Sequence, residues 1–130
     1  MLKYKDMTKS CIRVFADVEQ IEQCKNQIAK AEHSIAAVAR ALSLSGNEVR
    51  LKILYLLSKE TKLCPCDLSD ILEMTVPAIS QHLKKLREGG LIASEKVGQT
   101  VFYSLVEANL ETLSPVLASL SVQNQKEAVL

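Results

Sequence analysis

The 130-residue chain has no tryptophan and only five aromatic side chains, three Tyr and two Phe. Recognition of RNA or single strands leans on stacked rings, so this mode of nucleic-acid binding is poorly supplied. A long apolar run is also missing. The longest is Ile53-Leu54-Tyr55-Leu56-Leu57, against the ~20 residues that a membrane span needs, so no membrane partner is expected. Residues 1–10 carry Lys3, Lys5, Asp6 and Lys9 without an apolar stretch behind them, which is not the layout of a secretory signal. The expected compartment is the cytoplasm. Charge of one sign is scarce as well. With a net charge of +1, the field of the whole molecule gives no argument for nucleic acid, and any such argument must come from local patches.

What is present is 48% hydrophobic and 24% charged side chains, the composition of one packed domain. A chain of this length can bury a core that needs neither disulfides nor a structural metal. Cys11, Cys24, Cys64 and Cys66 are therefore free for other work, and a reducing compartment points to metal binding or thiol chemistry.

Residues 1–16 read as a flexible polar arm, 17–120 as the folded domain and 121–130 as a tail. Val18, Ile21, Ile28, Ala31, Ile35, Val38 and Leu42 form one helical stripe over 17–43 with Asp17 as N-cap. A second helix is expected over 47–58, its core face Val49, Ile53, Leu56 and Leu57, its outer side basic with Arg50, Lys52 and Lys59. Asp67 is placed to cap a short helix over 68–73. Thr75 is placed to cap a longer one over 76–88, with Pro77 in its first turn and Gly89-Gly90 as its stop. Leu91–Glu95 and Thr100–Leu105 read as a hairpin around Lys96-Val97-Gly98-Gln99. Residues 107–120 complete the set as a helix with Leu110, Leu113 and Leu117 on one face, kinked or interrupted near Pro115. The fold class is mainly α with a small β-hairpin, a winged helix-turn-helix.

On a helical wheel of 77–88, Ile79, Leu83 and Leu86 share a narrow sector, and Ser80, Gln81, Lys84, Lys85 and Glu88 lie outside it. Gln bonds the adenine edge twice, Lys reaches guanine acceptors or phosphates, and Ser does either, so this face suits a major groove. A solvated helix face is the plain alternative, and the helix-turn-helix order with a following hairpin argues against it. The DNA-binding candidates are Thr75, Pro77, Ser80, Gln81, Lys84 and Lys85, with Lys96, Gln99 and Thr100 on the wing. Segment 75–100 holds four cations against two carboxylates. His82 falls at the edge of the apolar sector and reads first as a scaffold histidine.

Cys64-Pro65-Cys66-Asp67 puts two thiols directly before a helix. A helix start favours anions, and thiolate is the form that binds metal. Pro65 holds Cys64 extended. Soft cations take three or four ligands, so more must come from elsewhere. Cys11, in the arm, has no core to enter. Cys24, between Ile21 and Ile28, is as well explained as a small buried hydrophobe.

Leu63-Cys64-Pro65-Cys66-Asp67-Leu68, with Pro77-Ala78-Ile79-Ser80-Gln81-His82-Leu83-Lys84-Lys85-Leu86, Gly90-Leu91-Ile92 and Val101-Phe102-Tyr103-Ser104-Leu105, resembles the ArsR/SmtB family of metal-sensing repressors over about residues 35–120. The resemblance implies a homodimer, joined through first and last helices, that binds double-stranded operator DNA when metal-free and leaves it when metal binds. In the cadmium- and lead-sensing members that this chain resembles, thiols from the amino-terminal arm of the other subunit, often two close together, join the C-x-C pair, whereas here only Cys11 lies in the arm. Arsenic-sensing members commonly carry a third cysteine where this chain has Ser69. Zinc-sensing members use Asp and His on the last helix, where Glu107 and Asn109 stand here. The ligand set expected is Cys64, Cys66, Cys11 and Cys24. The inducer expected is Hg(II), Cd(II), Pb(II) or As(III), with no organic cofactor and no catalytic residue. Two other readings stay open: a thiol-redox repressor of the same fold, and a thiol–disulfide enzyme, disfavoured by C-x-C spacing and the lack of a βαβ pattern.

Overall fold

A computed structural model describes residues 12–120. Contacts divide the chain after Ala36. The first unit contains the start of helix α1 (Val18–Ser45). Asp17 begins it as expected, its carboxylate accepting from the Gln20 N–H at 3.0 Å and its carbonyl from the Ile21 N–H. The apolar stripe faces outward here. Ile28 and Ile35 are about half exposed, and Cys24 is exposed as well, so Cys24 is not the buried small hydrophobe that its neighbours suggested.

The second unit holds the core. It starts with the last turns of α1 and continues through α2 (Glu48–Lys59), α3 (Pro65–Leu72), α4 (Val76–Glu88), strand β1 (Ile92–Val97) and strand β2 (Thr100–Leu105). Asn47 caps α2 by accepting from the Arg50 N–H at 3.0 Å. Glu73 (φ 55°), Met74 and Thr75 form the turn between α3 and α4, and the Thr75 hydroxyl accepts from the Ala78 N–H. Ile53, Leu54, Leu68, Ile79, Leu83, Leu86 and Ile92 are fully or almost fully buried together. Side chains of this size contribute roughly 1.5–3 kcal/mol each by leaving water.

Three expectations need correction. Asp67 does not cap a helix at 68. The helix starts at Pro65 with Cys64 as N-cap, and Asp67 is the third helical residue, its carboxylate accepting from the Cys64 N–H at 3.2 Å. Proline suits the first helical position because it has no N–H to leave unpaired. The hairpin is tighter than expected. β1 runs on to Val97, Lys96 pairs with Val101, and the loop shrinks to Gly98-Gln99. Gly98 supplies the positive φ (65°) such a turn needs.

The last predicted helix is not continuous either. A 3-10 turn over Glu107–Asn109 and a turn at 111–113 precede a helix from 114, called α5 (114–120). Pro115 lies in its first turn and needs no kink. Leu110, Leu113 and Leu117 are buried in the core of this same chain, at 5% exposure or less, so these three are not a face left for a partner.

Candidate nucleic-acid interface and thiol pair

The amphipathic division of α4 follows from its spacing. Ile79, Leu83 and Leu86 recur at helical intervals and enter the core, which leaves Ser80, Gln81, Lys84 and Lys85 exposed. Thr75 and Pro77 are exposed at its start, and Lys96, Gln99 and Thr100 are exposed on the hairpin. All nine DNA-binding candidates thus stand at the surface of the second unit. The outer side of α4 offers exposed hydrogen-bond donors and acceptors with the cations of Lys84 and Lys85, and the hairpin adds the exposed cation of Lys96.

His82 is half-buried instead. Arg50 Nη1 lies 3.4 Å from its Nδ1, which assigns the acceptor role to that nitrogen and the proton to Nε2. Burial lowers the His82 pKa below its ordinary 6.5, and the charges of Arg50 and Lys85 lower it further. The unfolded chain takes up this proton near pH 6.5, whereas the folded chain resists it to lower pH. The stabilisation is complete above 6.5 and is lost as pH falls from there through the folded value. Thermal unfolding at pH 7.5 and 5.5 is therefore expected to show a larger acid loss in the parent chain than in His82→Asn, which has no such proton to take up.

Cys64 and Cys66 are both unpaired, the first half-buried and the second exposed. Cys64 is extended (φ −98°, ψ 164°), as Pro65 requires, with its sulfur where a capping oxygen would stand. Just before it, Leu63 makes an isolated antiparallel bridge to Tyr103 of β2. The Leu63 N–H donates to the Tyr103 carbonyl at 3.1 Å and the Tyr103 N–H to the Leu63 carbonyl at 2.8 Å. Lys62 Nζ sits 4.8 Å from the centroid of the Phe102 ring. Backbone hydrogen bonds therefore tie the thiol segment to the hairpin. Among the described residues no three His, Cys, Asp or Glu converge as a metal site, so this pair supplies two sulfurs and stops short of a closed shell. Cys11 lies outside the described residues.

The family model for bacterial regulatory proteins of the arsR family matches residues 47–94. A cadmium resistance transcriptional regulatory protein CadC homolog of Staphylococcus aureus is 34% identical over 109 residues, covering 82% of this chain and 88% of that protein. The chain belongs to the arsR family. The arsenical resistance operon repressor of Escherichia coli is 48% identical over 59 residues, 45% of this chain and 50% of that protein. Among solved structures, reduced HlyU from Vibrio cholerae superposes with a TM-score of 0.64 at 36% identity, covering 70% of this chain and 95% of that one. ArsR-family proteins are DNA-binding transcriptional regulators and not enzymes, which removes the thiol–disulfide enzyme. The winged helix-turn-helix is this family's fold. No helix among the described residues is long and apolar enough to cross a membrane.

Three features have no signal in the local sequence. Arg50 was expected on the basic outer side of α2, but its Nε donates to the Leu44 carbonyl at 2.6 Å and its Nη1 meets His82. Gly89 was expected only as a helix stop, yet a Cβ there would lie 2.1 Å from Leu44 Cδ1. The Leu63–Tyr103 bridge joins residues forty apart, and no local spacing encodes that pairing.

Proposed function

We propose that this chain is a repressor that binds operator DNA as a metal-free homodimer and is released when a thiophilic ion, Cd(II), As(III), Hg(II) or Pb(II), is captured by Cys64, Cys66 and Cys11, with Cys24 as a further candidate. The observation that carries it is the C-x-C pair at the start of α3, hydrogen-bonded through its neighbour Leu63 to the hairpin that flanks the reading helix. Two relatives bear cadmium and arsenical resistance in their names, and sulfur donors suit these ions. Two thiolates from one segment leave the shell open, which favours completion by the arm of this or a second subunit. The exposed stripe on α1 supports a dimer, since Ile28, Ile35 and Leu42 recur every seven residues and are at least half exposed, and large apolar side chains left in water favour an interaction surface. The partner would meet this stripe and not Leu110, Leu113 or Leu117.

DNA reading is assigned to Thr75, Pro77, Ser80, Gln81, Lys84 and Lys85 on α4, with Lys96, Gln99 and Thr100 on the wing. Two reading helices must span one helical turn of DNA, about 34–36 Å, so a shift in their relative orientation is enough to penalise binding. Reciprocity requires metal and DNA to weaken one another by the same factor, typically about 5–150-fold. The test is operator affinity with and without each of the four ions, where unchanged affinity for all four sinks the inducer assignment. Gln81→Ala is expected to cost about 1–3 kcal/mol at one base position and to relax specificity there. Lys84→Ala, if Lys84 meets phosphate, is expected to weaken all sequences alike and reduce the salt slope by about one. Salt-dependent anisotropy titrations on operator variants separate the two.

A further inference from the structure

The corner between α1 and α2 touches the reading helix twice. The planar guanidinium of Arg50, itself at the third position of α2, donates through Nε to the Leu44 carbonyl at 2.6 Å and presents Nη1 to His82 Nδ1 at 3.4 Å. The Leu44 side chain covers Gly89 at the end of α4, so closely that any Cβ there would collide with it at 2.1 Å. His82 and Gly89 are seven residues apart, about two helical turns or ~10 Å along the axis. One contact would let a helix pivot, whereas two so separated hold its direction. Leu44 and Arg50 make both contacts, and one hydrogen bond joins them to each other.

We propose that Arg50 is a positioning residue for operator recognition, holding α4 by its hydrogen bonds to Leu44 and His82 without touching DNA itself. Base-edge hydrogen bonds require donor–acceptor distances near 2.9 Å, so a small swing of α4 displaces Ser80, Gln81, Lys84 and Lys85 together. Lysine does not replace this residue, because a single ammonium lacks the rigid fork that serves two acceptors in fixed directions. The proposal rests on α4 being the reading helix, which the test checks separately.

The experiment is a double-mutant cycle on the full chain, with Arg50→Gln, Arg50→Lys, His82→Leu, His82→Asn and Arg50→Gln/His82→Leu. It reads operator affinity across salt, thermal unfolding, and the His82 tautomer by nitrogen-15 NMR. The parent chain is expected to show His82 with its proton on Nε2 and an unprotonated, hydrogen-bonded Nδ1, a signature that Arg50→Gln removes. Arg50→Gln, Arg50→Lys and His82→Leu are each expected to lose about tenfold in affinity, and the double variant no more than either single one, as for residues that act as a pair. His82→Asn, whose side-chain oxygen stands near the place of Nδ1, is expected to retain binding.

The salt slope is decisive. A residue that contacts phosphate changes it by about one when removed, whereas a positioning residue leaves it unaltered. A reduced slope in Arg50→Gln, additive losses in the double variant, or parental affinity in His82→Leu overturns the proposal. If the Gln81 and Lys84 substitutions leave operator binding untouched, the assignment of α4 as reading helix fails. The NMR signature and a stability cycle then still decide whether Arg50 and His82 are coupled.

Discussion

Cys64→Ser is expected to abolish metal-induced release while leaving metal-free operator binding close to that of the parent chain. Cys64 is the N-cap of α3, and serine is among the favoured residues there because its hydroxyl accepts from the first helical N–H groups. The fold therefore tolerates the change, and α3 is expected to start as firmly or more so. A hydroxyl is a poor ligand for a soft cation, so the pair keeps only the sulfur of Cys66 and the ion loses its two-thiolate anchor at α3. With binding lost, the coupling of about 1–3 kcal/mol between metal and DNA is lost with it. Anisotropy of a labelled operator in the presence of Cd(II) and As(III) checks this, with ultraviolet charge-transfer bands counting thiolates in parallel. Normal release by Cys64→Ser would move the input site away from α3 and leave the regulator itself in place.

The second large effect separates the core from the proposed interaction surface. Leu113→Ala is expected to destabilise the subunit by about 2–5 kcal/mol, the usual cost of emptying a buried leucine site. For a domain near this size that corresponds to a fall in Tm of roughly 10 °C or more. Ile28→Glu and Ile35→Glu, placed on side chains that are 59% and 50% exposed, are expected to leave the fold of the second unit intact and shift the chain toward monomer. Because association makes stability depend on concentration, unfolding should be followed at two protein concentrations alongside sedimentation. A Leu113→Ala chain that keeps its subunit stability and only dissociates would contradict its burial, and stripe variants that remain dimeric would remove α1 from the interface.

Local chemistry made much of this architecture legible. Asp17, Asn47 and Thr75 each accept a backbone N–H three residues on, because short polar side chains before an apolar period satisfy the donors a helix leaves unpaired. The helical spacing of Ile79, Leu83 and Leu86 assigns them to the core, and their burial leaves the candidate DNA face by exclusion. Short-range errors came from competition between similar signals. Asp67 reads as a cap, but Pro65 is better suited to start the helix, which moves the cap to Cys64. In residues 107–120 a helical period of leucines concealed a 3-10 turn, since the same spacing also fills a core from two shorter pieces.

By itself, then, the sequence determined the winged helix-turn-helix, the polar face of α4 and the place of two thiols at a helix start, all of them consequences of residue order within a few turns. Scarcity of aromatics and of net charge leaves that one face and its wing as the proposed place of DNA recognition. Only the tertiary structure decided that Leu110, Leu113 and Leu117 belong to their own core, that Arg50 turns inward to His82, and that Leu63 pairs with Tyr103. Each of these joins segments distant along the chain, and such partners are chosen by which surfaces must leave water and which backbone donors must be paired once the core has formed.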